Sequence, residues 1–158
     1  MDEKTLDAIV QSVTKQFSAT ADMTLDVALK LSEKVKAKAK ELGVNAVVAV
    51  SNRAARPVLV ECMDDSYIAS YDVAFNKAYT VVALKMSTTD LKKLSQPGGS
   101  LYGIQFTNDG KIVIFGGGEP LYNKAGQLIG GLGVSGGSDE QDTALAKYGK
   151  EIFNTIEF

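Results

Sequence analysis

Few side chains of this chain could carry out acid–base, nucleophilic or metal chemistry. Its 158 residues include no histidine and a single cysteine, Cys62. Ser-His-Asp and Cys-His catalytic pairs therefore cannot be built, and neither can a zinc site made from imidazoles or from several thiolates. Lys77, Glu119, Asp142 and the tyrosines remain as candidates for proton transfer or for contact with a polar ligand.

The segment from Gly116 to Asp142, GGGEPLYNKAGQLIGGLGVSGGSDEQD, holds nine of the fifteen glycines and invites comparison with phosphate-binding loops. A P-loop is excluded because no lysine followed by serine or threonine comes after the last glycine. The spacing G-x-G-x-x-G does occur, at Gly131, Gly133 and Gly136. Because the first two lie inside a predicted strand with no parallel β-α-β unit before it, we do not predict a dinucleotide site.

Two interpretations of these glycines stay open. Glycines within a strand let another backbone or a flat ligand approach closely, and SGGS before a helix exposes N–H groups that can bind a carboxylate or another anion. Alternatively, the glycines only form tight turns and let a helix pack on a strand. Asp139 and Glu140, in the first turn of that helix, would themselves fill part of an anion's place.

The composition is that of a globular domain. Apolar residues make up 45% of the chain, charged residues 23%, and the formal net charge is −2, so a nucleic-acid partner is not indicated. No apolar run approaches the roughly 20 residues that span a bilayer, and MDEKTLDAIVQ lacks the basic start of a secretory signal. Because one cysteine cannot form an internal disulfide, we expect a cytoplasmic protein without a membrane partner.

An amphipathic helix is predicted at the N-terminus, in EKTLDAIVQSVTKQF. Its apolar residues recur at helical spacing: Leu6, Ile9, Val10, Val13 and Phe17. The small and polar residues of SATADM then interrupt the pattern, so this helix could be separate from the domain, or it could be a first helix packed on the core. We therefore divide the chain into a segment 1–22 and a domain 23–158.

Four further helices are predicted in the domain. Thr24 can cap the first, which Gly43 ends, and Ser138 can cap the last, with Gln141 at its third position. Asp65 or Ser66 can cap a helix that runs to about Met86, and Thr88 or Thr89 opens the short helix DLKKL. We expect the helix ending at Met86 to direct these residues inward: Ile68, Tyr71, Phe75, Ala78, Val82 and Met86.

Five strands are predicted, over residues 44–50, 58–63, 111–115, 119–123 and 127–134. SNRAARP joins the first two as a hairpin, NDG forms a tight turn before the third, and NKAG joins the last two. Strands linked mostly by hairpins, with helices before, between and after them, predict an antiparallel sheet flanked by helices. The fold class is therefore α+β.

The segments FGGGEPLYNKAGQLIGGLGVSGGSDEQD and DVAFNKAYTVVAL resemble the GlcG/HbpS family, which also forms the C-terminal domain of PduO-type corrinoid adenosyltransferases. The resemblance covers about Met23 to the C-terminus. It implies a profilin-like three-layer α/β/α sandwich with a five-stranded antiparallel sheet, assembled into homo-oligomers that are often octamers. Several members bind haem, and others belong to propanediol or glycolate operons.

The family's KAxTA segment falls on Lys77, Ala78 and Thr80, with Val81 in place of the final alanine. An arginine common before that lysine is replaced here by Phe75 or Asn76. GGxP and GVSGGxxEQD fall on these residues: Gly117, Gly118, Glu119 and Pro120; Gly133, Val134, Ser135, Gly136, Gly137, Glu140, Gln141 and Asp142. The four-helix adenosyltransferase domain has no counterpart in these residues, so we do not expect that activity.

Haem is the most specific ligand that the resemblance implies, although no histidine is present to bind its iron. Tyrosine, methionine and thiolate ligands are known for haem, and we favour Tyr79 over Tyr71, Met86, Met63 and Cys62. Lys77 could meet a propionate, or it could pair with a carboxylate such as Asp142. The expected ligand-binding residues are Lys77, Tyr79, Thr80, Gly116, Gly117, Gly118, Glu119, Ser135, Gly136, Gly137, Ser138 and Asp142.

The N-terminal segment resembles the encapsulation peptides of bacterial microcompartment cargo, which lay a small apolar helix face against a shell protein. The domain and this segment together predict a non-catalytic module that binds a tetrapyrrole, haem or corrinoid, or a small carboxylate. It would be an accessory protein of diol or glycolate-type metabolism, and the resemblance of the N-terminal segment implies a location in a microcompartment lumen. Two alternatives stay open: a small accessory enzyme acting on a hydroxyacid or aldehyde, and a purely structural oligomer.

Overall fold

The computed structural model describes residues 2–18 and 22–156, apart from the side chains of residues 15–18. Its elements are α1 (Glu3–Ser18), α2 (Leu25–Glu41), β1 (Val47–Asn52), β2 (Pro57–Cys62), α3 (Ile68–Leu84), α4 (Thr88–Ser95), β3 (Gly118–Tyr122), β4 (Leu128–Ser135) and α5 (Asp139–Phe153). Two single turns of 3-10 helix, Ile104–Phe106 and Asn108–Gly110, lie between α4 and β3. Helices and hairpin-linked strands in this order confirm the α+β class.

The sheet is antiparallel, with the strand order β2-β1-β4-β3. Two hairpins, β1-β2 and β3-β4, meet where β1 pairs with β4, so that Val47 faces Ser135 and Asn52 faces Gly130. This register brings the end of β4 next to the start of β1. The start of α5, directly after β4, is therefore held at that edge of the molecule.

Helices cover both faces of the sheet. Alternate side chains of β1 and β4, among them Val48, Val50 and Leu132, join α2 and α5 in the larger core. On the opposite face, Val47 and Ala49 of β1 pack against Ala74 and Ala78 of α3. The alternation of strand side chains thus produces three layers, with α3 alone opposite the α2/α5 pair on these faces.

The predicted strand at residues 111–115 is not formed, so the sheet among the described residues has four strands rather than five. The Val113 N–H donates to Thr80 Oγ1 (3.0 Å), and the hydrogen of that hydroxyl has two acceptors, the Asn76 carbonyl of the same helix (2.7 Å) and the Lys111 carbonyl (3.2 Å). Ile112 and Val113 are buried. Their apolar pattern therefore reflects burial beside α3, where a side chain satisfies the backbone in place of a neighbouring strand.

The inward face of α3 matches the predicted one only in part: Ala78 and Val82 are buried as predicted. Ile68 is 96% exposed and Tyr71 47% exposed, whereas Ala74, Lys77 and Val81 are buried. The reason lies in β4, because a Cβ on Gly133 would overlap the Ala74 carbonyl oxygen. The helix packs its small residues directly on a glycine surface, and its large aromatic residues are consequently turned outward.

The helix caps are partly as predicted. Thr24 Oγ1 accepts from the Val27 N–H at 3.3 Å, and Ser138 with Gln141 forms a complete capping box. Helix α4 begins at Thr88, one of its two predicted first residues, and its cap is Ser87. At the start of α3 neither Asp65 nor Ser66 acts as a cap, since the cap position is Tyr67 and carries no side-chain hydrogen bond.

Helix α1 presents an apolar stripe that stays exposed. Its residues Leu6, Ile9, Val10 and Val13 are between 43% and 53% exposed. The side chain of Phe17, predicted to extend this stripe, lies outside the described side chains. In the part of the chain that the structure describes, no helix is both long and apolar enough to cross a membrane.

Candidate functional site

Lys77 lies at the centre of a buried polar network between α3, β4 and α5. Its side chain is 0% exposed. The ammonium donates to the Val134 carbonyl at 2.7 Å and to Asp142 Oδ2 at 3.0 Å. The half-exposed ring of Phe115 lies with its centroid 5.1 Å from Nζ, a cation–π distance. Lys77 therefore has partners inside the protein and is closed off from solvent.

Asp142 joins this lysine to the start of α5. Its second oxygen, Oδ1, accepts from the Gly137 N–H at 2.8 Å. The capping box places Asp142 in the first helical turn, where a carboxylate is stabilised by the helix dipole. One buried carboxylate thus neutralises Lys77 and also pairs a backbone group of the glycine-rich turn.

The glycines at 116–118 pack against the same network. The Gly116 N–H donates to Asp139 Oδ1 (2.6 Å), whose other oxygen pairs with Lys92 Nζ (3.0 Å). Gly117 adopts a φ of +107°, and a Cβ there would lie 2.7 Å from Lys77 Nζ. Glycine is required at Gly117 both by the backbone conformation and by the space that the ammonium occupies.

The charges of the network shift the protonation equilibria of its members. Burial lowers the pKa of the Lys77 ammonium, while the nearby carboxylates, Asp142 first, oppose that change. The hydrogen bond from Lys92 lowers the pKa of the Asp139 carboxyl, with a further contribution from the Gly116 N–H and an opposing one from burial. Within this network each lysine is thus paired with a carboxylate, Lys77 with Asp142 and Lys92 with Asp139.

Of the two roles considered for Lys77, the geometry realises the ion pair with Asp142. The predicted residues Lys77, Gly116, Gly117, Gly137 and Asp142 come together here, although they form packed structure rather than the wall of an open pocket. Gly118 lies against α4 and α3 instead, where its N–H donates to Thr88 Oγ1 at 2.9 Å. Sequence reasoning missed Phe115 and gave Asp139 only a local helix role. An aromatic residue directly before a glycine triplet gives no sequence signal for a position over a lysine.

The other predicted residues lie elsewhere. Thr80 is buried and holds residues 111–113, as described above, and Ser135 Oγ lies 3.1 Å from Ser70 Oγ. Glu119 is buried towards α5, where its Oε2 pairs with Lys150 Nζ at 2.9 Å. Gly118 and Glu119 are consecutive strand residues and point to opposite faces, which separates Glu119 from Lys77.

Gly136, Gly137 and Ser138 line a polar cleft of about 490 Å³ together with Asn45, Asp65, Tyr67 and Gln141. Two N–H groups at this helix start are already paired within the protein, Gly137 with Asp142 and Ser138 with Gln141 Oε1 (2.9 Å). Much of the anion-binding capacity expected of SGGS is therefore used by the protein's own side chains.

The outward residues of α3 form a continuous apolar surface, which we term the α3 outer face: Ile68, Tyr71, Phe75 and Tyr79. Their spacing places them on one side of the helix. The rings of Tyr71 and Phe75 stack in parallel planes, with centroids 6.4 Å apart. Tyr79 accepts a hydrogen bond from Asn108 Nδ2 (3.2 Å), and Lys111 Nζ lies 5.7 Å from its ring centroid. Exposed apolar surfaces of this kind mark sites of ligand or protein contact.

A family model described as "Haem degrading protein HbpS-like" matches residues 23–151. The chain belongs to the HbpS-like family. The resemblance to GlcG/HbpS proteins and to the PduO C-terminal domain is thereby confirmed. A relative from Citrobacter freundii, an uncharacterised 15.0 kDa protein in the dhaT-dhaS intergenic region, is 43% identical over 136 residues, which cover 86% of this chain and 95% of that protein.

The corrinoid adenosyltransferase PduO of Citrobacter freundii is 36% identical over 149 residues, covering 88% of this chain. The aligned region spans only 44% of that longer protein. The similarity to PduO is therefore a similarity to part of it.

Solved structures in the same family share the fold. Protein ORFY of Klebsiella pneumoniae superimposes with a TM-score of 0.83 at 39% identity, covering 87% of this chain and 95% of that one. The crystal structure of a PduOC:heme complex superimposes with a TM-score of 0.79 at 36% identity, covering 83% and 94%. A double mutant of HbpS from Streptomyces reticuli gives a TM-score of 0.73 at 25% identity, covering 84% and 88%.

Proposed function

We propose that this protein is a non-catalytic binding module for a tetrapyrrole, with haem as the first candidate, and that the ligand lies against the α3 outer face. The observation that carries the proposal is the similarity to a structure solved as a PduOC:heme complex. The α3 outer face adds a local reason, because it offers a flat apolar ligand the exposed ring of Tyr71, which stacks on the partly buried ring of Phe75.

The residues of this face suit haem despite the lack of histidine. Tyr79 supplies a phenol oxygen, and tyrosine is an established axial ligand of haem iron. Lys111, next to the Tyr79 ring, supplies a cation for a propionate. Tyr71 and Phe75 supply the apolar contact. Bound haem would contribute a redox-active iron, while this chain would hold, orient and shield it.

In this proposal Lys77 and the glycines around it have a structural role and do not contact the ligand. Lys77 is enclosed and paired, so it supports α3 from within instead of touching the ligand. The Asp142 carboxylate and the N–H groups beside it are likewise engaged. We still assign a small carboxylate, if one binds, to the polar cleft at Gly136–Ser138. Fewer backbone N–H donors are available there than the sequence suggested, because Gly137 and Ser138 are already paired.

A convex helix face covers only one side of a flat ligand. We propose that a second subunit covers the other side, so that the binding unit is a homo-oligomer. The exposed fractions of Ile68 and Tyr71, 96% and 47% in the single chain, support such burial between subunits. Size-exclusion chromatography with light scattering, with and without hemin, measures this assembly directly.

The function is tested by titrating the purified protein with hemin and, separately, with cobalamin, followed by visible absorption. We expect a saturable Soret shift that reaches its end point at one hemin per subunit. Tyr79→Phe should change the position of the bound Soret band and weaken binding, because the iron loses its oxygen ligand, whereas Tyr71→Phe keeps the ring and should leave the band unchanged. A saturable change with cobalamin alone would assign the site to a corrinoid, and no saturable change with either would refute the proposal.

We further propose that α1 directs the protein to a microcompartment lumen, where it would assist a partner enzyme of diol-type metabolism. The support is the exposed apolar stripe at Leu6, Ile9, Val10 and Val13, which the domain leaves uncovered. Such a stripe is suited to a groove on a shell protein.

A further inference from the structure

A second cleft is lined mainly by polar and charged residues, in contrast to the aromatic α3 outer face, and it concentrates positive charge. It has a volume of about 410 Å³ and lies between the end of α3, the start of α4, β3 and α5. Four lysines line it: Lys85, Lys93, Lys147 and Lys150. We name it the lysine cleft.

Only two carboxylates in this lining oppose the four ammonium groups. Asp90 pairs with Lys93 (3.0 Å), and Glu119 pairs with Lys150 (2.9 Å). Lys85 and Lys147 have no ion-pair partner among the described residues. The lining therefore carries a net charge of +2, four lysines minus two acids, in a chain whose own net charge is −2.

Concave surfaces lined by one sign of charge concentrate the opposite sign, since their field is focused into the cleft. The N-terminus of α4 also lies in the lining, but Ser87 caps it and the Asp90 carboxylate occupies its first turn, so the lysines supply the positive field. That field favours an anion over a neutral ligand. The net charge of +2 matches an anion with two negative charges.

Thr89 provides an independent indication of a ligand. Its hydroxyl oxygen is buried and has no hydrogen-bond partner within the described part of the chain. Buried hydroxyls in folded proteins are nearly always paired. Thr89 is part of the lining, so a bound anion would give its hydroxyl an acceptor that the described part of the protein does not provide.

Lys85, which directly follows α3, contributes one of the positive charges in the lining. It occupies the left-handed position after α3, with φ +54° and ψ +36°. Glycine is the usual residue there because a side chain adds strain. A lysine at this position places a flexible cation at the mouth of the cleft.

From these features we infer that the lysine cleft binds a small dianion, a phosphoryl group or a dicarboxylate, through the ammonium groups of Lys85 and Lys147 and the hydroxyl of Thr89. Glu119 and Asp90 set the charge of the site through their pairs with Lys150 and Lys93. This site is separate from the tetrapyrrole surface, and its ligand is recognised by charge instead of by apolar contact.

Isothermal titration calorimetry of the full chain with inorganic phosphate, succinate and acetate, at constant ionic strength, tests this inference. We expect phosphate and succinate to bind saturably at one site per chain, and acetate to bind more weakly. Tighter binding of phosphate would identify a phosphoryl ligand, and tighter binding of succinate a dicarboxylate. No saturable heat for either dianion up to about 10 mM would overturn the site.

The double variant Lys85→Gln, Lys147→Gln should weaken dianion binding at least about tenfold, because two charge-assisted contacts are lost. The matched control Lys34→Gln, Lys124→Gln removes the same charge from exposed positions outside the cleft and should retain the wild-type affinity. An equal loss in both variants would show that overall charge is responsible and would refute the cleft as the site.

Thr89→Val keeps the shape of the side chain and removes the hydroxyl. We expect about a three- to tenfold loss of affinity, the range for one hydrogen bond. Unchanged affinity would contradict the contact assigned to Thr89. Because these titrations contain no haem, their outcome is independent of the tetrapyrrole proposal.

Discussion

At the scale of single residues, Lys77 is the most constrained group in the molecule. A fully buried ammonium is tolerated because a carboxylate, a carbonyl and an aromatic ring surround it. The sequence offered two roles for this lysine, and only the fold could separate them. The decisive neighbour, Asp142, lies 65 positions away in the chain, at a helix start whose capping residues were recognisable.

Lys77→Met should lower the free energy of unfolding by about 3–5 kcal/mol, because Asp142 is left as a buried charge without its partner. The matched control is Lys92→Met, which breaks the half-exposed pair with Asp139 and should cost no more than about 1 kcal/mol. Urea denaturation of both variants measures the difference. Equal effects would mean that the Lys77 pair contributes no more than a surface pair.

The lowered pKa of Lys77 also predicts a pH dependence. Between the pKa in the folded protein and the ordinary lysine value of 10.5, the unfolded chain binds more protons than the folded one. The contribution of Lys77 to stability therefore increases as the pH rises through this window. Wild-type protein should gain stability relative to Lys77→Met as the pH is raised towards the ordinary lysine value of 10.5. A gap that narrows with rising pH would contradict a depressed pKa.

At the scale of secondary structure, the glycines of β4 decide how α3 lies on the sheet. Periodicity identified α3 as a helix and placed Ala78 correctly on its inner face, but hydrophobicity alone also placed Ile68, Tyr71 and Phe75 there. The actual inner face consists of small residues such as Ala74 and Ala78, because the opposing strand has no side chains at Gly131 and Gly133. Which side of a helix is buried depends on the surface against which it packs, and the sequence of the helix alone does not determine that surface.

Gly133→Ala tests this packing. The added Cβ would overlap backbone atoms of Ala74 and Ala78, so α3 would have to move away from the sheet. We expect a loss of stability of about 1–3 kcal/mol or more. Gly149→Ala is the control, since the nearest atoms to its Cβ would be side-chain carbons of Leu132 and Val35 and not backbone atoms. Thermal melts of the two variants that coincide would show that direct contact between α3 and β4 is not required.

The predicted strand at 111–115 illustrates a second limit. Its alternation and the preceding NDG turn favour a strand, and Ile112 and Val113 are indeed buried. The pairing partner, however, is the hydroxyl of Thr80. A buried segment has the same apolar pattern whether its backbone pairs with a strand or with a side chain. The sequence could therefore locate this buried segment but could not predict its hydrogen bonds. The other four strands follow from hairpin signals that are local to the chain.

At the scale of the whole molecule, the main interaction surfaces that we propose are the apolar stripe of α1, the α3 outer face and the lysine cleft. Membership of the HbpS-like family accounts for the fold of residues 23–151. Each surface has a distinct chemistry, and each calls for a different partner: a groove on another protein, a flat apolar ligand and a small dianion.

The proposed targeting role of α1 is tested with a fluorescent protein fused to residues 1–20. We expect puncta in cells that express microcompartment shell genes and diffuse fluorescence in cells without them. Replacing Ile9 and Val10, which are 47% and 53% exposed, with glutamate should abolish the puncta without affecting the reporter. Diffuse fluorescence in both kinds of cell would refute a targeting role.

The central claim is that a tetrapyrrole binds at the α3 outer face, and a hemin titration of one pair of variants tests it most directly. Ile68→Glu, Tyr71→Glu places two charges on that face, and Leu25→Glu, Leu29→Glu places two on α2, at residues 55% and 41% exposed. We predict that the α3 variant loses the saturable Soret shift and that the α2 variant retains it at one hemin per subunit. If both variants titrate like the wild type, the ligand lies elsewhere and the proposed site is wrong.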